Sequence, residues 1–100
     1  MIEHIVMWKF KENAEGKTKK ENISIVKEAL EKLPGIIPEI RFLEVRPDQS
    51  GDGQNYDAVL ITKFDSFEHL NIYKAHPEHQ KVSRYVGLTS EKRASVDYNL

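Results

Sequence analysis

Glu3-His4-Ile5-Val6-Met7-Trp8-Lys9-Phe10 reads as a strand, and it is apolar on both sides. His4, Val6, Trp8 and Phe10 share one face, while Ile5 and Met7 lie on the other. A strand covered on one side only alternates apolar with polar. The doubling recurs in Asp57 to Phe64, where Ala58, Leu60 and Phe64 oppose Val59 and Ile61. A sheet built on two such strands needs cover above and below.

The segments around these strands say what supplies the first cover. Thr18 and Glu21 have capping-box spacing, and Ile23, Val26, Leu30 and Leu33 then recur at helical spacing until Pro34-Gly35 breaks the pattern. The lysines at 17, 19 and 20 read as a solvated helix start. Ile40 to Arg46 is a second strand, closed by Pro47. The polar run Asp48 to Asn55 is a loop between antiparallel strands. It has some calcium-loop residues, but Val59 stands where a bidentate glutamate is required. Asp65 or Ser66 caps the next helix, in which Phe67, Leu70 and Tyr73 share a side. A further helix carries Val82, Tyr85 and Val86, with Gly87 near its end. Lys92 to Leu100 is the last strand, with Ala94, Val96 and Tyr98 opposite Ser95, Asp97 and Asn99.

Strand, helix, strand, strand, paired helices, strand is the order of a ferredoxin-like α+β domain: a four-stranded antiparallel sheet with its helices on one face. The helices leave Ile5, Met7, Val59 and Ile61 in water. At about 25 cal/mol per Å², several exposed aliphatic groups forgo a few kcal/mol. A second copy of the same sheet is the simplest cover, since a two-fold interface needs only a self-complementary patch. A homodimer with the two sheets facing one another is expected.

The chain has 100 residues, expected to form one domain over residues 1–100, with 39% hydrophobic and 31% charged residues. A net charge of -1 provides no electrostatic footprint for nucleic acid or an anionic membrane. The absence of cysteine excludes disulfides, thiol catalysis and thiolate zinc. No apolar run approaches the roughly 20 residues of a membrane span, and the N-terminus lacks signal-peptide form, so a cytoplasmic protein is expected.

Tyr73-Lys74-Ala75-His76-Pro77-Glu78-His79 gathers a tyrosine and two of the four histidines where the chain must turn. Pro77 disfavours helix at His76 and suits the first helical position, so two helices meet with His76 as N-cap. His79 then falls in a first turn, where the helix dipole favours a neutral imidazole, and a neutral imidazole near a phenol can do acid–base chemistry. His76 and His79 are spaced as metal ligands, but no third ligand is positioned, so neither metal nor cofactor is expected. His69 is expected to be solvated. His4 either pairs with Asp97 or lines a pocket, and Trp8 is either core or pocket wall.

His4 to Phe10, Leu33-Pro34-Gly35-Ile36-Ile37-Pro38, Tyr56 to Leu60, Tyr73 to His79 and Val96-Asp97-Tyr98 together resemble the Dabb family of stress-responsive dimeric α/β-barrel proteins. The resemblance covers nearly the whole chain and implies the same ferredoxin-like unit, dimerised through its sheets into an α/β barrel. A plant branch includes a polyketide cyclase that performs an intramolecular aldol condensation. Similarity to it implies His79 as general base, Tyr73 as the hydroxyl polarising a carbonyl, His4 in the same cavity, and Asp97 orienting His79. His4, Trp8, Ala58, Leu60 and Asp97 are the substrate-binding candidates. Ala58 replaces a further histidine of the cyclase branch, and Arg46-Pro47 stands where many relatives have glycine. Three functions follow: binding of a small, partly apolar molecule between sheet and helices, a cyclase- or isomerase-type enzyme, or a non-catalytic stress-associated structural protein.

Overall fold

The computed structural model describes all residues, Met1–Leu100. Strand β1 (Ile2–Phe10) alternates as its sequence requires: Ile2, His4, Val6, Trp8 and Phe10 are buried, and the residues between them are more exposed. A two-residue hairpin follows, β2 (Asn13–Ala14) and β3 (Lys17–Thr18). The sequence pattern did not announce it, because its turn is Glu15-Gly16, with φ of 53° and 73°. Such a turn normally draws asparagine or aspartate before the glycine.

Helix α1 (Lys19–Glu31) starts at the expected capping box. The Glu21 N–H donates to Thr18 Oγ1, and Glu21 Oε1 accepts from the Thr18 N–H at 3.0 Å. The helix buries Val26 and Leu30 together with Asn22, and a 3₁₀ turn at Leu33–Gly35 ends the segment. Strand β4 (Phe42–Pro47) begins two residues later than expected, since Ile40 belongs to the buried turn after Leu33. It also includes Pro47, tolerated at the end of an edge strand.

Strand β5 (Ala58–Phe64), helix α2 (Phe67–Ala75), helix α3 (Pro77–Thr89) and strand β6 (Ser90–Asn99) complete the chain. The sheet is antiparallel, in the order β4-β5-β1-β6. With helices over one face, this is the ferredoxin-like α+β fold. α3 runs through Gly87, which has an ordinary helical φ rather than the left-handed one of a cap. β6 therefore starts at Ser90 rather than at Lys92.

The register divides the sheet cleanly. Ile5 pairs with Ile61 and Val96, and Met7 with Val59 and Ala94, so these residues share the face away from the helices. On that face Val96 is 55% exposed, Phe42 and Tyr98 40%, and Met7 38%. The helix-facing side holds the core, built on Val6, Trp8, Phe10, Leu60 and Phe64 against Val26, Leu30, Leu70 and Tyr73. No helix is long and apolar enough to cross a membrane.

Candidate functional site

The junction between α2 and α3 positions the site. His76 leaves helical geometry (φ -65°, ψ 133°), and its Nδ1 accepts the Glu78 N–H at 3.1 Å, as an N-cap should. Pro77 opens α3 at no hydrogen-bonding cost because a first-turn amide has no helical partner. The cap occupies one His76 nitrogen, and no three His, Cys, Asp or Glu side chains converge there or elsewhere.

Two residues beyond Pro77, His79 turns back onto the last turn of α2. Its Nδ1 lies 3.2 Å from the Lys74 carbonyl oxygen, which only accepts, so Nδ1 carries the proton and Nε2 holds the free lone pair. Burial lowers the His79 pKa from the ordinary histidine value; the Lys74 carbonyl opposes this, while positive charge on His4, Arg93 and Lys74 adds to it. The imidazole packs on the Tyr73 ring, with centroids 4.3 Å apart.

Tyr73 is fully buried between Phe64, at 5.1 Å, and the edge of His4, at 6.4 Å. Its hydroxyl has no hydrogen-bond partner, and burial raises its pKa far above the usual phenol range. A buried hydroxyl left unpaired costs about 1–3 kcal/mol.

His4 lies on the helix-facing side of β1, directly opposite Asp97 on β6. The Asp97 carboxylate accepts a hydrogen bond from its Nδ1. Burial lowers the His4 pKa, with the Asp97 bond opposing. Asp97 therefore orients His4, not His79 as the resemblance implied; its other oxygen is 3.9 Å from Lys74 Nζ. The register decides this, because His79 sits on a helix across the cavity.

Between β1 and α3 lies a cavity of about 380 Å³. Val6, Trp8, Leu30, Leu60, Val82 and Val86 form its apolar walls, and His4, His79, Lys74, Ser83, Ser90 and Arg93 supply polar groups. Four expected site residues, His4, Trp8, Leu60 and His79, thus line one space, with Tyr73 packed behind His79. Ala58 does not line it. This residue is buried, paired in the sheet between Trp8 and Pro47, and borders a different hollow of about 1100 Å³. That larger hollow carries no imidazole, and its charges are largely paired with one another, Lys27 with Glu31 and Arg46 with Glu44, so the smaller cavity is the chemically equipped one. His69 is half-buried with Nδ1 enclosed and unpartnered, not solvated as expected. Lys74, Arg93 and the α3 lining residues were missed. Arg93 shares the period-two face of Ser95 and Asp97, which was the available signal.

The sequence matches the family model of the Stress responsive A/B Barrel Domain, Dabb, over residues 2–100. A dimeric protein of unknown function with a ferredoxin-like fold from Bacteroides fragilis NCTC 9343 is 32% identical, with a TM-score of 0.89 over 99% of this chain and 95% of that one. A dimeric ferredoxin-like protein of unknown function from Thermobifida fusca YX is 25% identical, with a TM-score of 0.84 over 99% and 90%. A hydroxynitrile lyase from Passiflora edulis has a TM-score of 0.81 over 97% and 90% but only 16% identity, a likeness of fold alone. No curated protein matches the sequence at a significant level. By the family match over nearly its whole length and by its fold, the chain belongs to the Dabb family, the stress-responsive α/β-barrel domain proteins.

Proposed function

We propose that the chain is one half of a homodimer, joined through the outer sheet face, that binds a small, partly apolar molecule in the cavity between sheet and helices. The observation that carries this reading is the cavity itself. Its apolar walls meet two imidazoles that burial holds toward the neutral form, the usual composition of a small-molecule site. The exposed apolar outer face and the two relatives described as dimeric support the assembly.

A second reading has a specific observation in its favour. The His79 tautomer leaves Nε2 as a neutral base, and the Tyr73 ring packed against that imidazole carries a buried hydroxyl with no partner. Removal of a proton next to a carbonyl needs that pair: Nε2 takes the proton while the phenol hydrogen-bonds the oxygen on which charge develops. The likeness to the lyase adds nothing here, because a fold does not carry its activity with it.

Thermal-shift titration with small carbonyl compounds, on the wild type and on His79→Ala and Tyr73→Phe, tests these readings. Ligand at ten times its dissociation constant stabilises by about 1.4 kcal/mol. That raises the melting temperature of a 100-residue chain by roughly 5–10 °C. Binding predicts such a shift, altered by the substitutions. Catalysis predicts, in addition, turnover lost with the dimer intact. A purely structural role predicts a lower melting temperature in His79→Ala and no ligand effect in any form.

A further inference from the structure

We propose that the cavity selects an anionic ligand, a small carboxylate with an apolar tail, and that Arg93 binds its head group. This deepens the preceding reading and rests on the cavity being a binding site. Two cations, Lys74 and Arg93, both exposed, line the cavity, and the carboxylate of Asp97 stands near Lys74. Asp97 is already engaged, accepting from His4 Nδ1 and lying 3.9 Å from Lys74 Nζ. Arg93 takes part in none of the chain's ion pairs. Its one side-chain hydrogen bond runs from Nη1 to Ser95 Oγ at 3.2 Å.

That bond runs along β6 toward the residue paired with Val6, between those paired with Trp8 and His4, and the Arg93 side chain stays exposed at the edge of the cavity. A guanidinium there is charged throughout the physiological range, and its remaining N–H groups form the planar fork that matches a carboxylate. It is also close enough to disfavour positive charge on both His4 and His79. A bound anion supplies the charge that these groups lack, whereas a bound ammonium adds to the repulsion. The apolar walls of Trp8, Leu30, Leu60 and Val86 take the tail.

Calorimetric titration with octanoate, octanamide and octylammonium separates head from tail. Gly87 also lines the cavity, and a Cβ built on it meets no atom within 4 Å, so the position has room for a Cβ, and Gly87→Leu, with its circular dichroism checked, adds bulk to that wall. A charge-assisted bond should make octanoate about tenfold or more tighter than octanamide, with octylammonium unbound. Arg93→Gln should bring octanoate to the affinity of octanamide and leave octanamide unchanged. Arg93→Lys should restore part of the difference, and Gly87→Leu should weaken both together. Equal binding of octanoate and octanamide, unmoved by Arg93→Gln, overturns the anion assignment while the cavity reading stands. If none of the three binds the wild type, or if Gly87→Leu leaves binding untouched, the cavity reading falls and the assignment with it.

Discussion

Replacing Ile61 by glutamate puts a charge at the middle of the outer sheet face, because Ile61 on β5 pairs with Ile5 on β1 and these are the two central strands. In a two-fold interface every substitution is made twice. Withdrawing one isoleucine from burial costs about 1.5–3 kcal/mol, hence about 3–6 kcal/mol per dimer. Burying an unpaired carboxylate adds to that cost. Such a loss weakens the dimer by roughly 10²–10⁴-fold. On a free surface the same change would alter unfolding stability by no more than about 0.5 kcal/mol. Sedimentation velocity across a dilution series reads the difference: wild type at twice the chain mass, Ile61→Glu dissociating at far higher concentration with its circular dichroism intact. Wild type at the single-chain mass throughout the micromolar range would refute the reasoning, as would an unshifted midpoint in the variant.

Asn22 is fully buried, donating from Nδ2 to the Ala14 carbonyl at 3.0 Å and accepting from the Tyr85 hydroxyl at 2.5 Å, so it ties α1 to the β2–β3 hairpin and to α3. Asn22→Leu should cost about 2–4 kcal/mol in urea unfolding and Tyr85→Phe about 1–2, with a double-mutant cycle showing their coupling. Because His4 and His79 are held below the ordinary value of 6.5, the unfolded chain binds more protons just below that pH, and stability falls as pH drops through that window. Urea midpoints should show this decline, and His79→Gln should flatten it. Asp65, held low by the hydrogen bond from Arg41, contributes in a separate and more acid window, where stability is lost as pH falls through its folded pKa. Glu15→Asn, at φ 53°, should stabilise the hairpin by about 0.5–1 kcal/mol in thermal unfolding, since asparagine tolerates the left-handed region better.

What could be read in the sequence was what neighbouring residues decide. The alternation of β1 and β5 shows as a period of two, and the Thr18–Glu21 cap and the His76-Pro77 junction are local stereochemistry. The bond between His4 and Asp97 joins residues 93 apart and depends on how β6 pairs with β1, which no window of sequence contains. Two imidazoles and one acid were visible; which imidazole the acid served was not. Asn22 was overlooked because asparagine usually marks the surface, and only the meeting of hairpin and α3 above it makes burial favourable. Ala58 was assigned to the correct face but the wrong space, since a strand's face is set by parity and its cavity by what the helices leave uncovered.

Tyr73 offers the sharpest separation of packing from purpose. Its ring is fully enclosed and holds Phe64 and His79, yet its hydroxyl has no partner, so the oxygen adds desolvation cost without a compensating bond. Were the side chain there only to fill space, phenylalanine would do so better, and Tyr73→Phe should leave the unliganded protein unchanged or more stable by up to about 1–3 kcal/mol. A more stable variant that has lost ligand affinity or turnover would mark the hydroxyl as a group retained for function at a cost in stability. Differential scanning calorimetry at fixed chain concentration measures the sign, the concentration being fixed because dimerisation itself raises the melting temperature. A fall of more than about 1 kcal/mol in Tyr73→Phe would show that the hydroxyl is bonded in solution, and the case for Tyr73 as a donor held in reserve beside His79 would be lost.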